Sequence, residues 1–209
     1  AFLCLAKFVI TTIGILGIIV VRLNRESLML STQQQALVAA VLALDVQQVE
    51  QLLQQGIDPN FIIDAETGPL ISLWSDTVFA WWENVCEAYE AGQPLSDEQK
   101  AQSLQPYMQI LEALIQAKVN LHLWDAEEIY GPLWDVASAA CVPAVERLLA
   151  EKVDPNTKDE DDLTVLSSIS QLLFDCDFDE IDWSQALPEE RQVLELLRAN
   201  GAKMSKELN

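Results

Sequence analysis

The chain is poor in the residues that carry most protein chemistry. It has 209 residues, a single histidine, His122, and four dispersed cysteines that form no Cys-x-x-Cys pair. The usual zinc ligand sets, a disulfide framework and a nucleophile activated by a neighbouring histidine are therefore not indicated. Its seven glycines are spread out and form no phosphate-binding loop. The sequence predicts a protein that is not an enzyme and that uses no metal and no cofactor.

Basic residues are also scarce. The chain has 12 lysines and arginines against 33 acidic residues, and a net charge of −21. Three of the basic residues precede the first acidic one, Glu26, so residues 26–209 carry nine basic and 33 acidic residues, a net charge of −24. Such a field repels nucleic acid and speeds encounter with basic partners. We expect no nucleic-acid role, and we expect the acid to serve either solubility or the binding of a basic protein.

A long run with a single charge opens the chain. Residues 2–21 contain one charge, Lys7, and this length matches the roughly 20 apolar residues that cross a bilayer. Arg22 and Arg25 follow the run and favour a cytoplasmic location for the rest of the chain. The sequence predicts a single-pass membrane anchor over residues 1–25. The alternatives are a signal peptide, which would need a small-residue cleavage site, and a buried core helix.

One short phrase recurs four times in the remaining chain. The copies lie at residues 49–53, 111–115, 145–149 and 194–197, and their glutamates are 62, 34 and 49 residues apart. The sixth residue after each glutamate is Gly56, Lys118, Lys152 or Gly201, and two copies continue as Asp-Pro-Asn, at residues 58–60 and 154–156. A unit of about 33 residues with insertions fits these spacings and predicts stacked helix-turn-helix repeats.

Each unit has a similar internal order. A first helix rich in small residues, such as 36–44 or 135–140, precedes a second helix with apolar residues at helical spacing. Gly56 is expected to end the second helix in a left-handed conformation. The Asp-Pro-Asn turn follows, in which we expect Pro59 to fix φ and Asn60 to tolerate a positive φ.

These phrases resemble the ankyrin-repeat family. Gly68-Pro69-Leu70 and Gly131-Pro132-Leu133 lie where the family opens its next first helix, although glycine replaces the family's threonine in both. The resemblance covers residues 33–74 and 106–209. It implies an all-α, ankyrin-type repeat solenoid of about four units within an acidic domain, residues 26–209. It also implies binding to other proteins and no catalysis.

Two insertions interrupt the repeats, at about residues 75–105 and 172–188. In the first, Val78, Trp81, Trp82, Val85 and Tyr89 fall on one helical face, and Ser75 or Asp76 is expected to cap the helix. Ser96 and Gln99 have the spacing of a capping box for the next helix. The tryptophans Trp81 and Trp82 form either a contact patch for a partner or the apolar anchor of the insertion.

Other predicted partner-binding residues lie at turns between units. Asp159, Asp161 and Asp162 belong to one acidic turn, and Trp124 and Asp125 belong to another. Exposed tryptophan and clustered acid suit an interface with a basic protein. The alternating aspartates of the second insertion, at positions 175, 177 and 179, do not fit a calcium loop, because position 180 is not glycine and position 186 is not glutamate.

The sequence favours a membrane-anchored adaptor, or an accessory subunit that docks on another protein of a membrane complex. The alternative is an acidic inhibitor or immunity protein that neutralises a basic toxin or enzyme. An enzyme with a carboxylate site is a third reading that no motif supports. The glutamine-rich segments at residues 33–35, 47–48 and 54–55 favour a bacterial source.

Overall fold

The computed structural model describes residues 30–64, 67–122, 131–159, 161–184 and 186–208. These residues are mostly helical, which confirms the all-α class. They divide into two compact units, here called the N-terminal unit (30–122) and the C-terminal unit (131–208). Among the described residues, no helix has both the length and the apolar character needed to cross a membrane. The predicted anchor, residues 1–25, lies outside them.

The N-terminal unit consists of two helix pairs joined by a short hairpin. Helices α1 (Thr32–Leu42) and α2 (Val46–Gln54) form the first pair, and α3 (Leu70–Glu90) and α4 (Asp97–Gln116) form the second. Strands β1 (Ile62–Asp64) and β2 (Gly68–Pro69) pair antiparallel between them. The helices of each pair touch, α1 packs on α3, and α2 packs on α4. The core is apolar and includes Leu37, Val41, Val49, Trp74, Leu111 and Leu114, each almost fully buried.

The C-terminal unit has the same order of contacts. Helices α5 (Pro132–Ser138) and α6 (Val142–Ala150) form one pair, and α7 (Val165–Phe174) and α8 (Pro188–Ala199) form the other. Again α5 packs on α7 and α6 packs on α8. Two single 3-10 turns, Phe178–Glu180 and Ser205–Glu207, precede and follow α8. Val136, Val145, Leu166, Ile169 and Leu194 fill the core.

The turn between the helices of the first pair is built identically in both units. Leu44 and Ala140 hold φ of 53° and 46°, and their amides donate to the carbonyls of Val41 and Ala137. The next amide in each turn, Asp45 or Cys141, donates five residues back. The tight turn explains why α1 and α5 end two residues earlier than the sequence predicts.

All four positions that follow the recurring phrase are left-handed. Gly56 and Gly201 have φ of 87° and 88°, and Lys118 and Lys152 have φ of 63° and 64°. The left-handed end of α2 at Gly56 is confirmed. Lysine carries a Cβ that disfavours this region, so the two lysines occupy strained positions that glycine would fill without cost.

The asparagines of the two Asp-Pro-Asn turns connect each helix pair to the next. The Asn60 side chain accepts from the amide of Asn120 (2.6 Å) and donates to the carbonyl of Lys118 (3.2 Å). The Asn156 side chain accepts from the amide of Lys203 (2.9 Å) and donates to the carbonyl of Gly201 (3.1 Å). The expectation that Asn60 adopts a positive φ is wrong. Its amide group, which can donate and accept at once, is what the turn uses.

The insertion at 75–105 lengthens the second helix pair. Its predicted cap is wrong, because α3 runs without a break through Ser75 and Asp76 and begins after Pro69. Ser75 is buried, and its hydroxyl donates to the carbonyl of Ser72 (2.8 Å). The predicted capping box of Ser96 and Gln99 is confirmed and starts α4.

Candidate protein-interaction surfaces

None of the acidic residues that the structure describes is buried in either unit. The N-terminal unit has 12 acidic and two basic residues, and the C-terminal unit has 17 and seven. The buried polar residues of the described part are serines and one threonine, and none is acidic. Because cations are far fewer than carboxylates, each unit presents a strongly negative surface to an approaching protein.

One exposed aromatic ring lies at the tip of the helical hairpin that α3 and α4 form. The hairpin tip, residues 87–98, carries Tyr89, which is 56% exposed. Glu87 and Glu90 on α3 and Asp97 and Glu98 on α4 are also exposed around it. A tyrosine ring contributes apolar area and can receive a cation on its face, so ring and carboxylates together suit a lysine- or arginine-rich segment.

Tyr89 departs from the predicted helical face for a local reason. Val78, Trp81, Trp82 and Val85 are buried, as that face predicts, whereas Tyr89 is one turn further along. Tyr89 lies in the last turn of α3, which ends at Glu90, and α4 begins only at Asp97. Its position at the end of the helix was the signal that could have marked Tyr89 as exposed.

Trp81 and Trp82 are placed inside the hairpin. They are 8% and 7% exposed, and their ring centroids are 6.1 Å apart. The indole of Trp81 donates to the hydroxyl of Ser103 on α4 (2.9 Å). The indole of Trp74 donates to the carbonyl of Tyr107 (3.0 Å), so two tryptophans fasten α3 to α4. This geometry favours the anchoring alternative, and a direct role of Trp81 and Trp82 in partner binding stays a prediction.

The acidic turn of the C-terminal unit is tightly folded. The Asp159 carboxylate accepts from the amides of Asp161 (3.0 Å) and Leu163 (2.8 Å). Asp162 has φ of 62° and receives the ammonium group of Lys158 at 2.8 Å. Asp161 and Asp162 are exposed, and Asp159 is partly covered. Asp159 therefore stabilises the turn, whereas Asp161 and Asp162 face solvent.

The remaining predicted site residues, Trp124 and Asp125, lie outside the described residues. Near them, His122 is exposed, and its amide donates to the Asn120 side chain (3.0 Å). No group of His, Cys, Asp and Glu in the described residues is arranged to hold a metal ion. Cys141 is buried in the turn after α5, and this burial raises the pKa of its thiol to about 12, which suppresses thiolate chemistry.

No protein-family model matches the chain, and no curated protein matches it significantly. The resemblance to ankyrin repeats therefore stays a prediction, which rests on the residues and their geometry.

Proposed function

We propose that this protein is an acidic protein-interaction module built from ankyrin-type helix pairs. The observation that carries the proposal is the hairpin tip, residues 87–98, which holds exposed Tyr89 and four exposed carboxylates. Such a surface binds a partner through a fixed geometry and strong charge complementarity. The bridging asparagines, Asn60 and Asn156, support the ankyrin-type assignment because they repeat the same link between successive helix pairs.

The most suitable partner is a protein with a basic, exposed segment. Long-range attraction by a negative body raises the association rate, and the effect falls with ionic strength. Tyr89 supplies the kind of aromatic anchor that dominates binding energy, while carboxylates at 87, 90, 97 and 98 provide the rim. Asp161 and Asp162 offer a second, smaller acidic contact in the other unit.

In the cell, we propose that the module is an adaptor or accessory subunit tethered to a membrane through residues 2–21. The support is this run, which has a single charge and is followed by Arg22 and Arg25. The tether would hold the acidic module beside a membrane complex whose basic segment it binds.

The second candidate is an inhibitor or immunity protein for a basic toxin or enzyme. The net charge of −21 favours it, because acidic inhibitors use electrostatic steering to reach basic targets quickly. In this case residues 2–21 would serve only as a tether.

One affinity experiment distinguishes the two candidate functions. The tagged full chain and a shortened chain that starts at Glu26 are captured from cells in mild detergent, and the bound proteins are identified by mass spectrometry. Co-purification of an integral membrane complex with the full chain alone supports the adaptor. Capture of one basic soluble protein by both chains, lost at high salt, supports the inhibitor. Failure of both chains to bind any protein through a salt-sensitive contact would contradict the proposed function.

A further inference from the structure

The second insertion forms a short acidic segment that lies across the C-terminal unit. We call residues 175–184 the strap. It starts at Asp175, whose left-handed φ of 54° ends α7, and it contains the 3-10 turn Phe178–Glu180. Its backbone hydrogen bonds are local, from Glu180 to Asp177 and from Ile181 to Phe178. Local bonding of this kind does not fasten a segment to its neighbours, so the side chains must hold it.

Three contacts join the strap to α8 and to the C-terminal tail, residues 200–208. The ammonium group of Lys206 lies 2.6 Å from the Asp177 carboxylate. The guanidinium of Arg198 lies 5.8 Å from the centre of the Phe178 ring, and that of Arg191 lies 5.4 Å from the Trp183 ring. Each contact therefore uses a cation on the body of the unit and an anion or ring on the strap.

The strap also makes apolar contacts. Phe178 and Trp183 meet edge to face with centroids 5.5 Å apart, and Trp183 also lies 6.2 Å from Phe174 at the end of α7. Ile181 is the one strap residue that is buried. The rings of Phe178 and Trp183 are only partly covered.

The strap also carries charge that opposes its own closure. Five carboxylates occur within its ten residues, at positions 175, 177, 179, 180 and 182. Like charges at this spacing repel, and only nearby cations offset the repulsion. The hydrogen bond to Asp177, with the nearby carboxylates of Asp179 and Glu180, raises the pKa of Lys206.

We propose that the strap is a displaceable element with a closed and an open state, and that Lys206 of the tail clasps it shut. In the open state Phe178 and Trp183 leave the arginines of α8 and become a free aromatic surface. The tail itself is fixed independently, since Arg198 also pairs with Glu207 (2.8 Å) and the Ser205 amide donates to Ser167 (2.7 Å). Opening therefore moves the strap and leaves the tail in place. The inference does not depend on the partner proposed above.

Cys176, inside the strap, reports on the opening. It is partly covered, and burial together with Glu180, Asp177 and Asp175 raises the pKa of its thiol. The experiment measures alkylation of Cys176 at fixed pH in the full chain, by peptide mass spectrometry, for the wild type, Lys206→Gln and the matched variant Lys203→Gln. Lys203 lies in the same tail, and both variants lose one positive charge. Cys86 of the other unit is the internal reference.

Lys206→Gln is expected to alkylate Cys176 about threefold faster than Lys203→Gln, the range that one well-formed surface ion pair can shift. Loss of a cation alone would raise the thiol pKa further and slow the reaction, so acceleration can come only from opening. Lys206→Arg is expected to restore the wild-type rate. Equal Cys176 rates in the two glutamine variants would overturn the proposal. A parallel rise at Cys86 would also overturn it, because it would show general loosening instead of a strap movement.

Discussion

Replacing Asn60 with alanine tests the link between successive helix pairs most directly. The side chain makes three hydrogen bonds, to the Asn120 amide (2.6 Å), the Lys118 carbonyl (3.2 Å) and the Asp58 carboxylate (2.9 Å). Each such bond contributes about 0.5–1.5 kcal/mol net, and exposure places these in the lower half of the range, at about 0.7 kcal/mol each. Asn60→Ala should therefore destabilise the N-terminal unit by about 2 kcal/mol.

The aspartate variant separates the two halves of the amide group. Asn60→Asp keeps an oxygen that can accept from Asn120, but it loses the donor to the Lys118 carbonyl. It also places a second carboxylate beside Asp58, in a body that is already negative. Like charges at hydrogen-bonding distance repel, so Asn60→Asp should be at least as destabilising as Asn60→Ala.

The assay is native-state hydrogen exchange at the Asn120 amide, together with urea unfolding. A loss of about 2 kcal/mol corresponds to roughly 30-fold faster exchange from the opened unit. Asn84→Ala is the control, because Asn84 is exposed on α3 and donates only to Ala80 of its own helix (2.7 Å). Unchanged exchange at Asn120 in both Asn60 variants would refute the reasoning, and the bridge would then be an incidental contact.

Three further predictions concern the strained backbone of Lys118 and two glutamates whose pKa is shifted in the folded protein. Lys118→Gly should stabilise the N-terminal unit by about 1 kcal/mol in urea unfolding, because glycine accepts the φ of 63° without the Cβ penalty. Glu190→Gln should stabilise the chain at neutral pH, since burial raises the Glu190 pKa and the ionised form is disfavoured in the fold. Glu207→Gln should lower the thermal midpoint at neutral pH, because the bond from Arg198 lowers the Glu207 pKa to about 2.

The pH dependence of the two acid variants has opposite sign. A raised folded pKa means that the wild type gains stability as pH falls through that value, so the advantage of Glu190→Gln should vanish in acid. A lowered folded pKa means that stability is present above the ordinary value of 4.5 and is lost as pH falls towards about 2, so the Glu207→Gln deficit should disappear over that range. Thermal midpoints measured across this range decide both, and parallel curves for wild type and variant would contradict them.

Each of these variants has a matched control. Lys118→Gln loses the same charge as Lys118→Gly and keeps the strained φ, so equal stability of the two would contradict the strain argument. Glu146→Gln changes an exposed glutamate of α6 and tests the effect of net charge alone. If Glu146→Gln stabilises as much as Glu190→Gln, relief of general repulsion is the cause and burial of Glu190 is not.

The positions of many helices could be predicted from local sequence signals. The recurring phrase placed four second helices, and the capping spacing of Ser96 and Gln99 marked the start of α4. Short-range rules succeed there because caps and left-handed stops depend on a few adjacent residues. The reason given for Asn60 failed because its role is fixed by residues 58 and 60 positions ahead, which no local rule contains.

Candidate interface residues were harder to predict. Trp81 and Trp82 are residue types typical of an interface, yet both are buried, and Trp81 is bonded to Ser103 of α4, which only the register of two long helices reveals. Tyr89 belongs to the same periodic face and is exposed in the last turn of α3. Periodicity shows which face is apolar, whereas the length of the opposing helix determines how much of that face is buried.

The most direct test of the central claim uses the hairpin tip. The tip variant carries Glu87→Gln, Glu90→Gln, Asp97→Asn and Glu98→Gln. The control variant neutralises four exposed acids elsewhere: Asp45, Glu50, Glu146 and Glu195. The affinity of each variant for the captured partner is measured across a series of salt concentrations. Neutralising the tip should weaken binding more and flatten its salt dependence more than the equal charge change elsewhere. Equal effects of the two variants would contradict a docking role for the tip and leave only a general effect of net charge.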